Sequence, residues 1–430
     1  MTSAVFNPPD TQACVASPEY ELFCAGRLDD PYPLLAWLRE HDPVHFSPRL
    51  DAWIVTRYDD VLAGLLDRQL ANDRVAGNMS ALPPALRLSC APLGEHVSNW
   101  LGFTDPPKHT RMRGLLRPMF TPALARRFSD RITTIVDELL TAIDGDSEVD
   151  LIAALAFPLP ARVICELLGV PIEQSTAFHG WSEDMAAFTG NIGPTLAEIA
   201  PRAMRSYVAL DAFMTEMVAE RRRCPAGDVI SSLAAAEDAG ELSRAELVGL
   251  SVFTLVAGHE TTASLLGTGL RALLADEELH RAIAADPELV PIAVEEMLRL
   301  EAPIQFSPRL TSDDLVIRDR SIPEGAIVML HMAAANRDPA AFPDPDRLRL
   351  DRDNARHLSF AWGPHFCLGA PLARMEAAIA LPRVLDRFPD LELIPGGAPW
   401  RESMAMRGLS ELRARRAGVR ESLAGMLEGT

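Results

Sequence analysis

At 430 residues, with 48% hydrophobic and 23% charged side chains, the chain can bury a large core, which excludes a disordered or low-complexity polymer. Sixty acidic against 41 basic residues leave a formal charge of -19, a field that repels phosphate polymers and anionic lipid and so argues against nucleic-acid binding. Six cysteines (Cys14, Cys24, Cys90, Cys165, Cys224 and Cys367) lie scattered without CxxC spacing, the pattern of a reducing, cytoplasmic protein.

The amino terminus carries Pro8, Pro9 and Pro18 and lacks the basic start and apolar run of an export signal, so residues 1–18 read as a flexible tail. Val44 to Phe46 and Trp53 to Arg57 are alternating runs around a Ser47 to Asp51 turn, an early hairpin. From Pro106 to about Ala285 apolar residues recur at helical spacing, as in Ile132, Ile135, Val136, Leu139 and Leu140, and nearly all of this stretch is expected to be helix. Leu247 to Ala275 is apolar enough to suggest a membrane span, but His259 and Glu260 at its middle argue for a buried helix instead. Strand pattern returns at Leu315 to Ile317, Ala326 to Met332, Leu391 to Ile394 and Met404 to Leu412. Length alone suggests two or three units of ~150 residues. Without an internal repeat or a Gly/Ser-rich linker, residues 19–430 read instead as one mainly α domain with a small β-rich region.

Three segments carry candidate chemistry. Ser359 to Gly369 is a turn-rich loop running into a helix from Ala370 to about Phe388, which puts Cys367 at a helix start. Free amide N–H groups and the positive dipole end there stabilise a thiolate able to bind metal or attack an electrophile, while the alternative is a buried inert cysteine. The long helix opening at the capping box Ser243 to Glu246 continues through Ala257-Gly-His-Glu-Thr-Thr262. Ala257 and Thr261 share a face, a small-residue groove with a hydroxyl, which serves either close helix packing or the approach of a flat or diatomic ligand. Glu296 and Arg299 have charges at i and i+3 among apolar flanks and read as an internal ion pair that needs further partners. His109, Arg113, Arg309 and His365 are scattered cations that, with Cys367, could hold an anionic cofactor whose metal takes the sulfur.

Jointly these segments resemble the cytochrome P-450 family of haem-thiolate monooxygenases, bacterial soluble class, over a stretch from about Asp29 to the carboxyl end. Phe360-Ala-Trp-Gly-Pro-His-Phe-Cys-Leu-Gly369 resembles its cysteine loop, Ala257-Gly-His-Glu-Thr261 its oxygen-activating helix, and Glu296-Met-Leu-Arg299 its ion pair. Asn336-Arg-Asp-Pro339 and Phe342-Pro-Asp-Pro-Asp-Arg347 resemble its meander, and by the resemblance Arg347 joins Glu296 and Arg299. Ala361 stands where the family often has Gly, and Glu260 where it often has Asp.

The resemblance implies haem b (iron protoporphyrin IX) between the long central helix and the cysteine-loop helix, with Cys367 as iron ligand. His109, Arg113, Arg309 and His365 are then propionate partners, with Ala257, Gly258, Phe360 and Gly369 against the macrocycle. Thr261 and Glu260 would deliver protons for the cleavage of O2, and one oxygen atom would enter a C–H or C=C bond of a small molecule, a natural-product intermediate. NAD(P)H electrons would arrive through a ferredoxin or flavodoxin and its reductase, docking near Arg111, Arg117, Arg126, Arg127 and Arg374. The expected substrate contacts are Leu93, Leu101, Phe188, Ile192, Phe253, Ile304, Gln305, Phe306, Ser403 and Met404, and the enzyme is expected to be a cytoplasmic monomer without a membrane anchor. The competing readings are a peroxide-driven haem peroxygenase and a non-catalytic haem sensor, neither of which needs the Glu260 and Thr261 pair.

Overall fold

A computed structural model describes residues 28–192, 195–352 and 356–416; the tail expected over residues 1–18 lies outside them. The principal helices are α1 (Tyr32–His41), α2 (Lys108–Leu116), α3 (Pro122–Ala142), α4 (Pro158–Leu168), α5 (Ser175–Gly190), α6 (Leu196–Arg223), α7 (Arg244–Ala275), α8 (Val290–Leu300) and α9 (Ala370–Arg387). Their ends follow local chemistry. Thr121 accepts from the Leu124 N–H and Pro122 opens α3, while Gly169 at φ 84° closes α4 in the left-handed region that glycine tolerates.

The 32-residue α7 starts at the expected capping box: Ser243 accepts from the Glu246 N–H, and the Glu246 carboxylate accepts from the Ser243 N–H. It is buried on almost every side, because α4, α5, α6, α8 and α9 all pack against it. Among the described residues no helix is long and apolar enough to cross a membrane, and the Leu247 to Ala275 stretch is this central helix.

The strands are β1 (Val44–Ser47), β2 (Ala52–Val55), β3 (Leu70–Ala71), β4 (Glu148–Asp150), β5 (Ser307–Thr311), β6 (Leu315–Ile317), β7 (Arg320–Ile322), β8 (Ile327–Leu330), β9 (Leu391–Leu393) and β10 (Arg413–Arg416). The main sheet runs β1-β2-β8-β5-β3, with β2 parallel to β8 (Ala52 opposite Ile327) and the other pairs antiparallel. β4-β10-β9 and the β6-β7 hairpin are separate. The expected early hairpin is β1-β2, although β2 stops at Val55 and Arg57 instead precedes a helix over Tyr58–Leu66, its guanidinium donating to the Arg39 carbonyl.

One strand expectation changes, and β5 was not expected. Met404 to Leu412 is a loop joined only by the isolated bridges Ile304 to Met406 and Trp400 to Leu409, and the strand starts beyond it at Arg413. β5 has no alternation to read and contains Pro308, which the sheet accepts because β3 reaches only Leu310 and Thr311 and leaves that side of Pro308 without a strand partner.

Candidate active site

The cysteine loop is folded back on itself by local bonds. The Cys367 N–H donates to the Phe360 carbonyl at 2.9 Å, and Phe366 donates to Gly363 at 3.0 Å. Two residues turn in the left-handed region, Gly363 at φ 73° and Ala361 at φ 56°. The second explains why glycine is frequent there: an alanine in this conformation costs about 1–2 kcal/mol. Side chain is also excluded at Gly363, where a Cβ would meet Leu66 at 2.8 Å.

Cys367 lies just ahead of α9, as expected, with the Gly369 and Ala370 N–H groups directed to its sulfur. Loss of water around the thiol pushes it up nevertheless, and those N–H groups, Arg113 and Arg374 oppose the shift. The helix start alone does not make the thiolate; a further positive charge at the sulfur does, which is what a metal ion supplies.

Cys367 opens into a cavity with about 1520 Å³ free of protein atoms, its mouth included. Ala257, Gly258, Thr261, Thr262 and Leu265 of α7 line it together with Phe360, His365, Gly369 and Leu372 of the cysteine side. The Thr261 hydroxyl donates to the Ala257 carbonyl at 3.1 Å. Gly258 lines the cavity, but its missing side chain is required on another side, where a Cβ would come within 2.6 Å of Ile164 on α4. A Cβ on Gly369 would be 3.8 Å from the Cys367 sulfur, an ordinary contact.

Glu260 stands apart from this wall. It is buried but does not line the cavity: Arg401 Nη1 donates to its Oε2 at 2.7 Å, and His259 Nε2 lies 3.4 Å from its Oε1. Adjacent residues of a helix point about 100° apart, so Glu260 cannot share the direction of Thr261.

The cations gather at one edge. Arg113 and Arg309 line the cavity with His365, whose ring is centred 3.9 Å from that of His109 at a 34° tilt. Arg113 donates to the Phe366 carbonyl at 2.7 Å, and Arg309 donates to Ser307 Oγ and the Pro308 carbonyl. Nε2 of His109 and of His365 is buried without a hydrogen-bond partner. Burial, then His109 and Arg309, push His365 down to about 3, so its ring is neutral. Arg309 is pushed down to about 10 by burial, against Asp105.

Sequence reasoning missed Arg74, also buried here, which is pushed down to about 9 by burial and then by Arg309. Among the described residues neither Arg74, Arg113 nor Arg309 has a carboxylate in hydrogen-bond range. Clustered guanidiniums and orphaned imidazole nitrogens beside a thiol fit a flat cofactor that brings carboxylates at one edge and a metal at its centre.

Glu376 of α9 was also missed: it lines the cavity, is 1% exposed, its Oε2 has no partner, and burial raises it well above the usual carboxylate range. Its only sequence signal is an acid within an otherwise apolar helix face.

The ion pair is inside. Arg299 donates to both carboxylate oxygens of Glu296, at 2.7 and 2.9 Å, with both side chains fully buried. The partner assigned to Arg347 is corrected: Arg347 supplies its backbone carbonyl to Arg299, and the guanidinium that reaches Glu296 is Arg352, at 2.9 Å. The Arg347 side chain is exposed while its carbonyl accepts from buried Arg299.

Of the expected substrate contacts, Leu101, Phe253 and Ile304 line the cavity. Leu93 and Phe188 are spent in the core around Trp100 and Val252, and Ile192, Phe306 and Met404 in the one around Tyr32 and Leu35. Gln305 donates to the Ala302 carbonyl, and Ser403 caps the Met406 N–H. Asn72, Thr254, Pro303 and Met332 line the cavity instead.

Comparison with known proteins gives one answer throughout. A family model described as Cytochrome P450 matches residues 96–413. Cytochrome P450 107B1 of Saccharopolyspora erythraea is 40% identical over 85% of this chain and 89% of its own length. The vitamin D(3) 25-hydroxylase of Pseudonocardia autotrophica is 37% identical, over 92% and 96%. The solved structure of the bacillaene polyketide synthase cytochrome P450 PksS of Bacillus subtilis superposes with a TM-score of 0.80 at 33% identity, covering 92% of this chain and 99% of that one.

Proposed function

Because this chain belongs to the cytochrome P450 family, and is thereby a haem monooxygenase, we propose that it oxidises an apolar small molecule of natural-product biosynthesis at a C–H or C=C bond. The carrying observation is the Cys367 sulfur at the start of α9, opening into the cavity that Ala257 and Thr261 line from α7, with uncompensated cations at its edge. Haem bound there supplies the oxygen chemistry, in which R–H, O2, two electrons and two protons give R–OH and water.

The chain's own residues have separate tasks. Cys367 would hold the iron, with the Gly369 and Ala370 N–H groups directed to its sulfur to temper its electron density. Arg113, Arg309, His109 and His365 would hold the two propionates, a role that suits the buried Nε2 atoms of the two histidines. Thr261 keeps a hydroxyl at the cavity wall, where it accepts a proton on one side and donates its own on the other. Glu260 supplies that hydroxyl from behind, and Arg401, partly exposed and 4.0 Å from Glu183, links it to solvent.

Leu101, Phe253, Pro303 and Ile304 make the substrate wall apolar. The names of relatives point the same way, one a vitamin D(3) hydroxylase and one a polyketide-biosynthesis P450. Electrons come from a separate ferredoxin or flavodoxin and its reductase. Arg111 is tied to Glu246 and Arg374 to Glu295, so the docking cations are the exposed Arg117, Arg126 and Arg127. Four unpaired cysteines among the described residues suit a reducing cytoplasm, where we place the enzyme as a monomer.

Replacing Cys367 with Ala tests the reading. The long-wavelength band of the ferrous carbon monoxide complex is expected to vanish with monooxygenation, and an unchanged band would refute ligation by this sulfur.

A further inference from the structure

Two adjacent acids of α8 point about 100° apart and take different partners. Glu296 binds Arg299 in the interior, while Glu295 turns to α9, where Arg374 donates to both of its oxygens, from Nε at 2.6 Å and from Nη2 at 2.8 Å. This two-pronged contact fixes the plane of the guanidinium as well as its position. A third group closes the set. His357 Nδ1 accepts from the Ser359 N–H at 3.2 Å, so a neutral His357 ring carries its proton on Nε2, and Nε2 lies 3.3 Å from Glu295 Oε2. Against the upward push of burial, Arg374 and His357 hold Glu295 down to about 2, and its carboxylate is ionised.

The guanidinium so held stands beside the cysteine loop. Its carbon lies 4.5 Å from the centre of the Phe360 ring, and the His357 ring is centred 5.8 Å from the same ring. Phe360 is the residue whose carbonyl accepts the Cys367 N–H, and it lines the cavity with that sulfur. Burial raises the Cys367 thiol, and the charges of Arg113 and Arg374 are among the groups that oppose it. For stability alone, a pair whose arginine side chain is 38% exposed contributes little. What the clamp changes is where the charge stands.

We propose that Glu295, with His357 beside it, holds the Arg374 charge against Phe360 and thereby makes the cysteine-bound iron easier to reduce. A fixed positive charge favours whichever state of a nearby centre carries the extra electron. One electron from the carrier takes ferric iron to ferrous, and Arg374 makes and breaks no bond in that step. Without Glu295 the guanidinium is free to turn into water, which screens it. Glu295 and His357 act through Arg374 and are positioning residues. The electron step belongs to the haem-monooxygenase reading, on which the proposal rests.

The holoenzyme is examined by equilibrium redox titration, after the optical band of its ferrous carbon monoxide complex has been recorded. Absence of that band in the wild type counts against the haem reading and not against the clamp. In Arg374→Gln, which removes the charge and keeps a planar amide, we expect the band unchanged and reduction about tenfold less favourable, a fall of about 59 mV for one electron. A midpoint potential equal to wild type overturns the proposal. Should Arg374→Gln fail to bind haem, Arg374→Met, an uncharged side chain of comparable reach, is read by the same criterion.

Glu295→Gln separates positioning from plain charge, because the two predict opposite signs. Loss of a negative charge by itself raises the potential. Release of Arg374 lowers it. We expect a fall smaller than that of Arg374→Gln, and no further fall when Glu295→Gln is added to Arg374→Gln. A rise or no change in Glu295→Gln alone, or an additive fall in the double variant, overturns the clamp.

Discussion

Two buried polar regions, one built on α8 and one around the cavity, differ in how completely the protein satisfies them. Around Glu296 and Arg299 every charge is answered: Arg299 also donates to the carbonyls of Asn336, Pro345 and Arg347, and Glu296 also accepts from Arg352 and the Arg349 N–H. In the cavity and against its edge, His109, His365 and Glu376 keep buried atoms without hydrogen-bond partners, and Arg74, Arg113 and Arg309 have no carboxylate in hydrogen-bond range among the described residues. A fold satisfies its structural charges itself and leaves open those a ligand will satisfy.

Breaking the satisfied region has the largest effect. Arg299→Ala leaves the buried Glu296 with Arg352 as its one charged partner and takes the donor from the Asn336 and Pro345 carbonyls, and is expected to cost about 3–5 kcal/mol, read as a fall in the melting temperature of the holoenzyme. A loss below about 1 kcal/mol would erase the contrast. In the open region the sign reverses. Glu376→Leu removes an acid with no partner and is expected to raise stability by about 1–3 kcal/mol at pH 7.

The pH dependence of that gain has a definite direction. Burial raises the folded carboxyl above its unfolded value near 4.5, so the unfolded chain releases this proton first and stability falls as pH rises above 4.5. The gain from Glu376→Leu should therefore shrink toward pH 4.5. A loss of stability at pH 7 would mean that the filled cavity gives Glu376 a partner. The smallest effect belongs to the loop: Ala361→Gly relieves a left-handed alanine and is expected to stabilise by about 1 kcal/mol in thermal melts, with the carbon monoxide band unchanged.

Residues whose roles are local were legible in the chain. The Ser243 to Glu246 box starts α7, the turn-rich loop delivers Cys367 to α9, and Glu296 with Arg299 is internal as its apolar flanks imply. Roles that depend on direction or distance were not. Glu260 turns toward Arg401, distant in the chain, and Arg352 displaces Arg347 because only the folded meander decides which guanidinium points inward. Glu376 and Arg74 drew no notice, since neither acid nor base is unusual until its neighbours prove apolar or alike in charge.

From its residues alone this chain determined a helical fold, a cysteine at a helix start and the hydroxyl groove that faces it, because capping, periodicity and turn chemistry act within a few residues of one another. Tertiary structure alone decided which polar atoms are left without partners, which side of α7 carries Glu260 and which apolar residues line the cavity. Each of those depends on what another segment, far along the chain, brings within about 4 Å.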